Sequence, residues 1–421
     1  MHEVKGKYGS AVIFTENIEE EAENQILEVC NMPYSAGCVL KIMPDVHAGK
    51  GCVIGFTGCL DRMVPSLVGV DIACGVLCVE LGIDEISLPY LDEIINERIP
   101  SGFNVHQKAV AHTSLECSQL MDRIGLPLSS QNYIERSIGT LGGGNHFIEV
   151  DEDENGMKYL LIHSGSRNLG LQVFKYYDSL TEKESVYDKN LRDQTIKYLK
   201  FCGREKEIEE YLKTTNSFKY PKNLAPLPVE YEKQYLADMQ TVSEYSDHNR
   251  AMMANIILNG LGINKRVHTN DPMFYPLDRG INNFTTLHNY IDINGVVRKG
   301  AVASYKYSPL IIPLNMKDGA LICEGKSNTE WNNSAPHGAG RLMSRKKAFE
   351  SLDLENYKKL MDGIYSTSIC EATLDEAPMA YKNAYDIVKD LGETASLIKV
   401  IKPIYNFKDH SKKKEVRKEN V

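Results

Sequence analysis

Six segments of this chain place a histidine, aspartate or cysteine in a strand-like, mostly glycine-rich context, and they are scattered from residue 43 to residue 341. In order they are MPDVHAGKG (43–51), VGVDIACG (68–75), LGGGNHFIEV (141–150), LIHSGSRNLG (161–170), LHNYID (287–292) and SAPHGAGR (334–341). Apolar runs bounded by glycine or proline are typical of strands, and polar groups at strand ends are common in functional sites. Because these segments are so widely spread, we predict one large α+β domain instead of separable domains.

The local patterns predict strands on both sides of a long helical stretch. Strands are expected at Ala11–Thr15, Cys38–Met43, Val76–Leu81, His146–Val150 and Tyr159–His163, and as short runs between Leu287 and Gly325. Helices are expected at Ile18–Cys30 and Glu230–Asn259 and from Arg341 and Pro378 onward. The polar stretch at about 172–262 is predicted to be a helical insertion or lid within a domain covering residues 1–408, followed by a charged tail at 409–421.

The overall charge limits the kinds of partner. The chain has 48 Lys and Arg against 57 Asp and Glu, a net charge of −9, whereas proteins that coat nucleic acid non-specifically are usually basic. A contact with RNA or DNA would therefore use a focused basic patch. The region from Arg341 to Lys347 is the best candidate for that patch.

Composition also bears on the compartment. No apolar run reaches the roughly 18 residues of a membrane span, and the N-terminus MHEVKGKYGS lacks an apolar signal core. We therefore expect a cytoplasmic protein without membrane contact. In that compartment the ten cysteines are expected to be reduced core residues or metal ligands and not disulfides. Because the sequence has no paired CxxC motifs, a structural zinc ribbon is not expected.

Five residues in these segments are of the kinds that bind transition metals. Asp71 and Cys74 lie three apart between glycines, a spacing at which a carboxylate and a thiolate can bind one ion or bridge two. His146 follows three glycines, and His163 and His288 end apolar runs. Together they would supply ligands for two divalent ions. Thiolate and imidazole ligands favour manganese, zinc, iron or cobalt over magnesium or calcium.

His337 stands in a different setting. The small residues Gly338–Gly340 follow it, and Arg341 and Arg345 lie downstream. Small residues let the backbone approach a ligand and expose amide N–H groups to an anion, while arginines make bidentate phosphate contacts. A histidine in such a cradle is a candidate nucleophile toward a phosphate.

Each segment also has a simpler structural interpretation. Asp45 can cap backbone amides beside a satisfied His47, and the aspartate and cysteine of VGVDIACG can be a turn residue and a buried thiol. A glycine-rich loop alone is weak evidence for phosphate binding. The histidines outside these segments are interpreted as structural or surface residues: His2, His106, His112, His248, His268 and His410. His248 is the least certain of these assignments, because Asn249 and Arg250 accompany it on the long helix.

The order of the motifs resembles that of a known family. Eight motifs appear along this chain in the order found in the RtcB family of RNA ligases: MPDVHAGKG, VGVDIACGV, LGGGNHFIEV, IHSGSRNLG, LHNYID, RKGAVAS, SAPHGAGRLMSR and DEAPMAYK. The resemblance runs from about residue 40 to residue 408 and is weakest near 172–228. It implies a distinct α+β fold with a central metal-binding cleft.

The resemblance implies a specific reaction. The chain would join an RNA 3′-phosphate or 2′,3′-cyclic phosphate end to a 5′-hydroxyl end, using GTP and two Mn²⁺ ions, in RNA repair or tRNA splicing. His337 matches the histidine that becomes guanylylated, and Asp45 is expected to assist proton transfer or to order the metal site. An archease-type activator is a further partner that the family implies.

The resemblance also assigns roles to the other residues of the motifs. Cys74 matches a ligand shared by the two ions, with one pair of ligands on each ion: Asp71 and His146 on the first, His163 and His288 on the second. The nucleotide-binding positions are Asn145, His146, Phe147, Ile148, Glu149, His288, Asn289, Pro313, Leu314, Asn315, Met316, His337, Gly338, Ala339, Gly340, Tyr381 and Lys408. Contacts with RNA or phosphate are expected from Arg167, Arg341 and Arg345.

The chain departs from the family pattern on the nucleotide side. Where the family usually has Pro-Gly-Ser-Met this chain has Pro313–Met316, a serine is replaced by Ala320, and Lys408 is followed by Asp409 instead of a terminal glycine. These departures bear on the contacts with guanine, and therefore on how strictly the protein would prefer GTP to other nucleotides. They keep open the alternative of a non-catalytic protein that binds RNA ends. A second alternative is a metal-dependent phosphoesterase or nuclease, in which the same ligands would activate water and no covalent nucleotide would form.

Overall fold

The computed structural model describes residues 1–182, 196–208, 220–267 and 283–411. Parts of the predicted helical insertion (183–195 and 209–219), His268, and the tail beyond residue 411 lie outside the described residues. Within the described ranges, no helix is both long enough and apolar enough to cross a bilayer.

A six-stranded sheet forms one side of the molecule, in the order β1-β2-β3-β4-β10-β9. Its strands are β1 (His2–Lys5), β2 (Ser10–Ile13), β3 (Val39–His47), β4 (Ile54–Cys59), β9 (Asn289–Ile291) and β10 (Val296–Lys299). The pair β2–β3 is parallel and the other pairs are antiparallel. Helix α1 (Glu20–Cys30) makes the parallel crossover and buries Ala22, Ile26, Val29 and Cys30.

A seven-stranded sheet forms the other side, in the order β12-β13-β15-β6-β7-β5-β8. Its strands are β5 (Gly75–Glu80), β6 (Phe147–Glu152), β7 (Lys158–Ser164), β8 (Asn283–Leu287), β12 (Pro309–Asn315), β13 (Gly319–Gly325) and β15 (Ala395–Phe407). All neighbouring pairs are antiparallel. The interior strand β7 is buried along its whole length, which agrees with its continuous apolar run YLLI.

A short two-stranded ladder lies between the large sheets. It pairs β11 (Ala301–Ala303) with β14 (Ser334–Pro336), so that Ala301 stands opposite Pro336. Strand β11 follows β10 after a single glycine, and β14 leads directly into His337. The ladder therefore brings the chain before His337 close to the chain after His288.

The helices cover and support the sheets. They are α2 (Leu88–Arg98), α3 (Leu115–Arg123), α4 (Leu128–Arg136), α5 (Arg167–Thr181), α6 (Val229–Gly260), α7 (Arg345–Ser351), α8 (Leu354–Leu360) and α9 (Ala384–Leu391). Ser114, Ser344, Asp353 and Asn383 cap α3, α7, α8 and α9 through their side chains. Helix α6 is unusual because buried side chains recur along most of its length.

The observed elements agree with the predicted α+β class. The strands expected near residues 11, 38, 76, 146 and 159 are present, and α1 and α6 match the expected helices to within two residues. The predicted helix at Arg341 begins at Arg345, and the one at Pro378 is a single 3-10 turn before α9. The long strand β15 and helices α2–α4 were not predicted.

Candidate active site

A cavity of about 660 Å³ is lined by residues from both large sheets. The first sheet contributes the end of β3 and the loop after it, from His47 to Lys50. The second sheet contributes residues of β6, β12 and β15, and the segment His337–Arg341 completes the wall. Segments that are far apart in the sequence therefore meet at one place.

Two groups of side chains that could each hold a metal ion meet at this cavity, and they share one residue. Cys74, His163 and His288 form one group, and Asp71, Cys74 and His146 form the other, with the donor atoms of each group within 4.8 Å of one another. Cys74 belongs to both because its Sγ lies 3.4 Å from His163 Nε2 and 3.5 Å from His146 Nε2. The grouping matches the ligand sets expected from the family resemblance.

Backbone carbonyls orient two of the imidazoles. His146 Nδ1 lies 3.0 Å from the Leu141 carbonyl, and His163 Nδ1 lies 3.1 Å from the Asn145 carbonyl. A ring whose Nδ1–H donates to a carbonyl presents Nε2 to a metal, and this is the usual arrangement around metal-bound histidines. The loop before β6 thus fixes both rings.

The spacing of the donors fits divalent ions. Two nitrogen or sulfur ligands at about 2.0–2.3 Å from one tetrahedral ion lie about 3.3–3.8 Å apart. The separation of His163 Nε2 and His288 Nε2 is 3.4 Å and falls in this range, as do the distances from Cys74 Sγ to the two histidines, whereas His146 Nε2 and Asp71 Oδ2 are closer, at the hydrogen-bonding distance of 3.1 Å. The donor set of imidazoles, thiol and carboxylate suits a borderline ion such as manganese or zinc.

Electrostatics keep most of these groups in a form that can bind a metal. Burial lowers the pKa of His163 and of His288 well below the ordinary value, so both rings are neutral. Burial would raise the pKa of Asp71, but the hydrogen bonds and charge interactions with His146, Cys74 and Arg167 together outweigh it and lower the pKa to about 2. Burial raises the pKa of the Cys74 thiol, as does the adjacent Asp71 carboxylate. A divalent ion would supply the positive charge that a thiolate needs here.

His337 lies beside the donor groups and is held by Asp45. Its Nδ1 lies 2.6 Å from Asp45 Oδ2, and the backbone N–H groups of His337 and Gly338 donate to the same oxygen at 3.0 and 3.2 Å. Asp45 is fully buried on β3, and the His337 and His288 rings are 4.9 Å apart. Because Nδ1 is engaged, Nε2 of His337 carries the free lone pair.

Gly340 is required for this close approach. Its φ of +74° lies in the left-handed region, and a Cβ there would stand 2.3 Å from the Asp45 carbonyl oxygen. Only glycine fits both conditions. The small residues after His337 therefore allow the cradle to pack directly on β3.

A buried glutamate, Glu376, organises the opposite wall. It pairs with Lys408 at 2.9 Å, Arg345 at 2.6 Å and Arg341 at 3.3 Å, and it accepts a hydrogen bond from the Tyr381 hydroxyl at 2.6 Å. Burial opposes ionisation of Glu376, but the three cations lower its pKa to about 2. Glu376 was not among the predicted site residues, although it lies within the motif DEAPMAYK.

Most of the predicted nucleotide-binding and phosphate-binding residues lie on the cavity wall. They are Asn145, Phe147, Glu149, His288, Pro313, Leu314, Asn315, Met316, His337, Gly338, Ala339, Gly340, Arg341, Arg345, Tyr381 and Lys408. Burial raises the pKa of Glu149 to about 7, and its carboxylate accepts a hydrogen bond from Asn406. Asp71, Cys74 and His146 lie behind this wall, and Asp45 lies behind His337.

Three predicted residues are placed differently. The Ile148 side chain is fully buried in a core cluster with Leu141 and Val150. Asn289 donates to the Asp71 carbonyl at 3.1 Å and accepts from the Gly300 N–H at 3.0 Å. Neither lines the cavity.

Arg167 is the third, and its guanidinium joins two loops. It donates to the Gly102 carbonyl at 2.8 Å and to the Thr140 hydroxyl at 3.1 Å, next to the loop that carries His146. It does not line the cavity. A contact between Arg167 and phosphate stays a prediction.

The departures from the family pattern have local explanations. Ala320 is fully buried among apolar side chains and does not line the cavity. The Asn315 side chain accepts hydrogen bonds from the N–H groups of Lys317 and Asp318, both at 3.0 Å, and so closes the turn after β12. Leu314 packs in a core cluster while it borders the cavity.

Other wall residues were not individually predicted as site residues. They are Glu19, Glu21, His47, Ala48, Gly49, Lys50, Met343, Ser344, Lys346, Glu376 and Asn406. His47 follows Asp45 by two residues on β3, which is the one local signal that pointed to it. Burial lowers the pKa of His47 to about 4.

The depressed pKa of Glu376 predicts a pH-dependent contribution to stability. Its folded pKa of about 2 lies below the ordinary 4.5, so the contribution is present above pH 4.5 and is lost as pH falls toward 2. The shift corresponds to roughly 3 kcal/mol. We expect Glu376→Gln to be less stable than the wild type at pH 7 in urea unfolding, by an amount that shrinks toward pH 3. The exposed Glu371, substituted in the same way, is the matched control, and a gap independent of pH would contradict the assignment.

The sequence is similar to known proteins over most of its length. The sequence profile of the family described as tRNA-splicing ligase RtcB matches residues 25–126 and 126–409. The RNA-splicing ligase RtcB of Escherichia coli (strain K12) is 28% identical over 414 residues, covering 91% of this chain and 92% of that protein. The tRNA-splicing ligase RtcB of Nanoarchaeum equitans is 27% identical over 422 residues, covering 83% of each chain. The profile match extends over most of the sequence, and the chain therefore belongs to the RtcB family of RNA ligases.

Proposed function

We propose that this protein is a GTP- and Mn²⁺-dependent ligase that joins RNA 3′-phosphate or 2′,3′-cyclic phosphate ends to 5′-hydroxyl ends, in RNA repair or tRNA splicing. The observation that carries the proposal is the position of His337. Its Nδ1 is bound to the buried Asp45, and its ring lies 4.9 Å from His288, one of the donors grouped around Cys74. A nucleophile, its orienting carboxylate and a metal-binding cluster thus share one cavity.

In the first step His337 acts as the nucleophile. The Nε2 lone pair attacks the α-phosphorus of GTP, a nitrogen–phosphorus bond forms, and the bond to the pyrophosphate oxygen breaks. The ring becomes positively charged, and the Asp45 carboxylate at Nδ1 stabilises that charge. Bound divalent ions would neutralise phosphate charge and align the reacting groups.

In the later steps the guanylate activates the RNA. An oxygen of the RNA 3′-phosphate attacks the guanylate phosphorus, and the bond to His337 breaks. The 5′-hydroxyl of the second RNA then attacks the activated 3′-phosphate, loses its proton, and releases GMP. A cyclic end has to be opened by water before the guanylate is transferred.

The remaining predicted residues have matching roles in the proposal. Cys74 is the shared metal ligand, with Asp71 and His146 on one ion and His163 and His288 on the other. Glu149, Tyr381 and Lys408 are proposed to hold the guanine, together with the other wall positions from the sequence prediction. Arg341, Arg345 and Arg167 are proposed to contact phosphate or RNA, and an archease-type activator remains part of the proposal.

Asp45→Asn tests the orienting role of Asp45. An amide oxygen is an uncharged and weaker acceptor for the ring N–H and the two backbone N–H groups, and it cannot stabilise the charged ring. We expect the rate of guanylylation to fall by about 10²- to 10⁴-fold. Mn²⁺ affinity should not change, because Asp45 is not in either donor group.

The rate is measured from labelled GTP, and the exposed Asp61, changed to Asn, is the matched control. A D45N variant that is guanylylated as fast as the wild type would remove Asp45 from the mechanism.

The ligation assay tests the function itself. The protein is incubated with an RNA that ends in a 3′-phosphate, an RNA that begins with a 5′-hydroxyl, GTP and Mn²⁺. Joined RNA that requires both GTP and Mn²⁺ is the expected product. Release of phosphate or cleavage, with no joined RNA and no labelled protein, would instead identify a phosphoesterase or nuclease. Binding of RNA ends without any reaction would identify a non-catalytic relative.

A further inference from the structure

The middle of helix α6 makes direct contact with the loops that carry the metal-binding residues. Arg250 is fully buried there, and its Nη1 donates to the Ala73 carbonyl at 3.1 Å and to the Ser164 carbonyl at 2.7 Å. Ala73 immediately precedes Cys74, and Ser164 immediately follows His163. One guanidinium therefore links the backbones beside two of the donors.

Neighbouring residues on α6 reinforce this link. Ser246 donates to the same Ala73 carbonyl at 2.8 Å and accepts from Arg250 Nη1 at 2.8 Å, while Asp247 pairs with Arg250 Nη2 at 2.6 Å. Ala73 has a φ of +56°, a conformation that residues other than glycine rarely adopt. The two hydrogen bonds to its carbonyl hold the chain in that conformation just before Cys74.

Asn249 links the loop that leads to His146 with the end of β7, beside the contacts of Arg250. Its Oδ1 accepts from the N–H groups of Gly139 and Thr140, at 2.9 and 3.0 Å, in the loop that leads to His146. Its Nδ2 donates to the Ser164 hydroxyl at 3.1 Å and to the Gly165 carbonyl at 3.3 Å. The loops before Cys74 and His146 and the end of β7 are thus held by adjacent residues of one helix.

We propose that Arg250, supported by Asn249, is a positioning residue for the metal site. Its hydrogen bonds set the distance between the donor atoms of Cys74 and His163. The inference rests on the proposed function in that it takes these donors to bind Mn²⁺. The role proposed for Arg250 differs from that of a metal ligand, because Arg250 belongs to neither donor group and acts through the backbone beside Cys74 and His163. Residues that orient metal ligands without touching the metal typically contribute about 10- to 100-fold to affinity.

The chain contains a matched control for the general effect of removing a buried arginine. Arg298 is also fully buried, pairs with Asp292 at 2.6 Å, and donates to the carbonyls of Asn332 and Asn333 at 3.3 Å. None of these contacts involves a residue adjacent to a metal donor. Loss of Arg298 should therefore affect stability without affecting the metal site.

The test is a titration of the purified protein with Mn²⁺, in which free Mn²⁺ is measured by its electron paramagnetic resonance signal. We expect the wild type to bind two ions, Arg250→Met to bind about 10- to 100-fold more weakly, and Arg250→Lys to lie between them. Arg298→Met should bind like the wild type. Ser246→Ala, which removes one hydrogen bond to the Ala73 carbonyl, should weaken Mn²⁺ binding by a smaller factor. If R250M fails to fold, this variant tests the positioning role in its place.

Each other outcome overturns a stated part of the account. If the wild type binds two ions and the Arg250 and Ser246 variants bind equally well, the positioning role is wrong while the proposed metal site stands. If Arg298→Met weakens binding as much as Arg250→Met, the effect is one of general packing and the inference fails. A wild-type protein that binds no Mn²⁺ overturns the proposed metal site and the inference with it.

Discussion

His337→Ala is expected to abolish the covalent attachment of guanylate from GTP. Alanine has no lone pair to attack the α-phosphorus, and in enzymes with a covalent intermediate loss of the nucleophile typically costs about 10⁴-fold or more. The wild-type adduct should be labile in acid, as expected for a phosphorus–nitrogen bond. Labelled GTP with Mn²⁺, followed by gel electrophoresis under alkaline conditions, measures the attachment, and acid treatment of the labelled protein before the gel measures its lability.

The comparison variant is His248→Ala. His248 is a partly buried histidine on α6 that does not line the cavity. It should label like the wild type, and the Mn²⁺ content of both variants should be unchanged because neither residue is in a donor group. A label that persists in H337A would show that another residue is the nucleophile.

Cys74→Ala should have the second largest effect, because Cys74 belongs to both donor groups. Removing it leaves each group with only two of its residues, so we expect both ions to bind more weakly by over about 100-fold, beyond the range typical of residues that do not touch the metal. Guanylylation and RNA joining should fall together with metal binding. Metal content after dialysis and a Mn²⁺ titration provide the measurement.

Cys78→Ala is the matched control for this prediction. Cys78 is also fully buried and lies on β5, four residues after Cys74, but it packs in an apolar cluster with Val76 and Tyr159. Its substitution should cost some stability, as any cavity in a core does, and leave Mn²⁺ binding intact. Equal metal content in C74A and wild-type protein would remove Cys74 from the ligand set.

The kinds of residue at the site could be predicted from the sequence, whereas most of their contacts could not. Residue type and motif context grouped Asp71 and Cys74 with three histidines far along the chain as ligands for two ions, but only the family resemblance divided these ligands between the ions. The bond between Asp45 and His337 spans 292 positions, and no periodicity in the sequence reports such a pairing. Glu376 was missed because a single glutamate in a 3-10 segment carries no local pattern.

The fold was predictable where one local pattern dominated. The strands β3, β5 and β7 were found because burial on both faces makes them nearly continuous apolar runs, and the acidic helix α1 was found from its helical period. Strand β15 was missed because lysines and exposed apolar residues alternate irregularly along it, with register shifts against both neighbouring strands.

Helix α6 shows that the burial of polar residues is hard to predict from composition. Its existence followed from helical spacing, and its position as part of an insertion or lid was inferred from its polar composition. Several of its polar side chains are turned inward, where Arg250, Asn249 and Ser246 bind backbone groups of the ligand loops. Composition does not distinguish polar residues that face water from those that satisfy buried backbone groups. Whether the stretch is an insertion relative to other family members stays a prediction.

The most direct test of the central claim is to map the guanylate on the wild-type protein. The protein is incubated with GTP and Mn²⁺, digested without exposure to acid, and its peptides are analysed by mass spectrometry. The account predicts that one guanylate is present and that it is attached to His337, in the segment SAPHGAGR. A guanylate on any other residue, or its absence from protein that still joins RNA ends, would contradict the account.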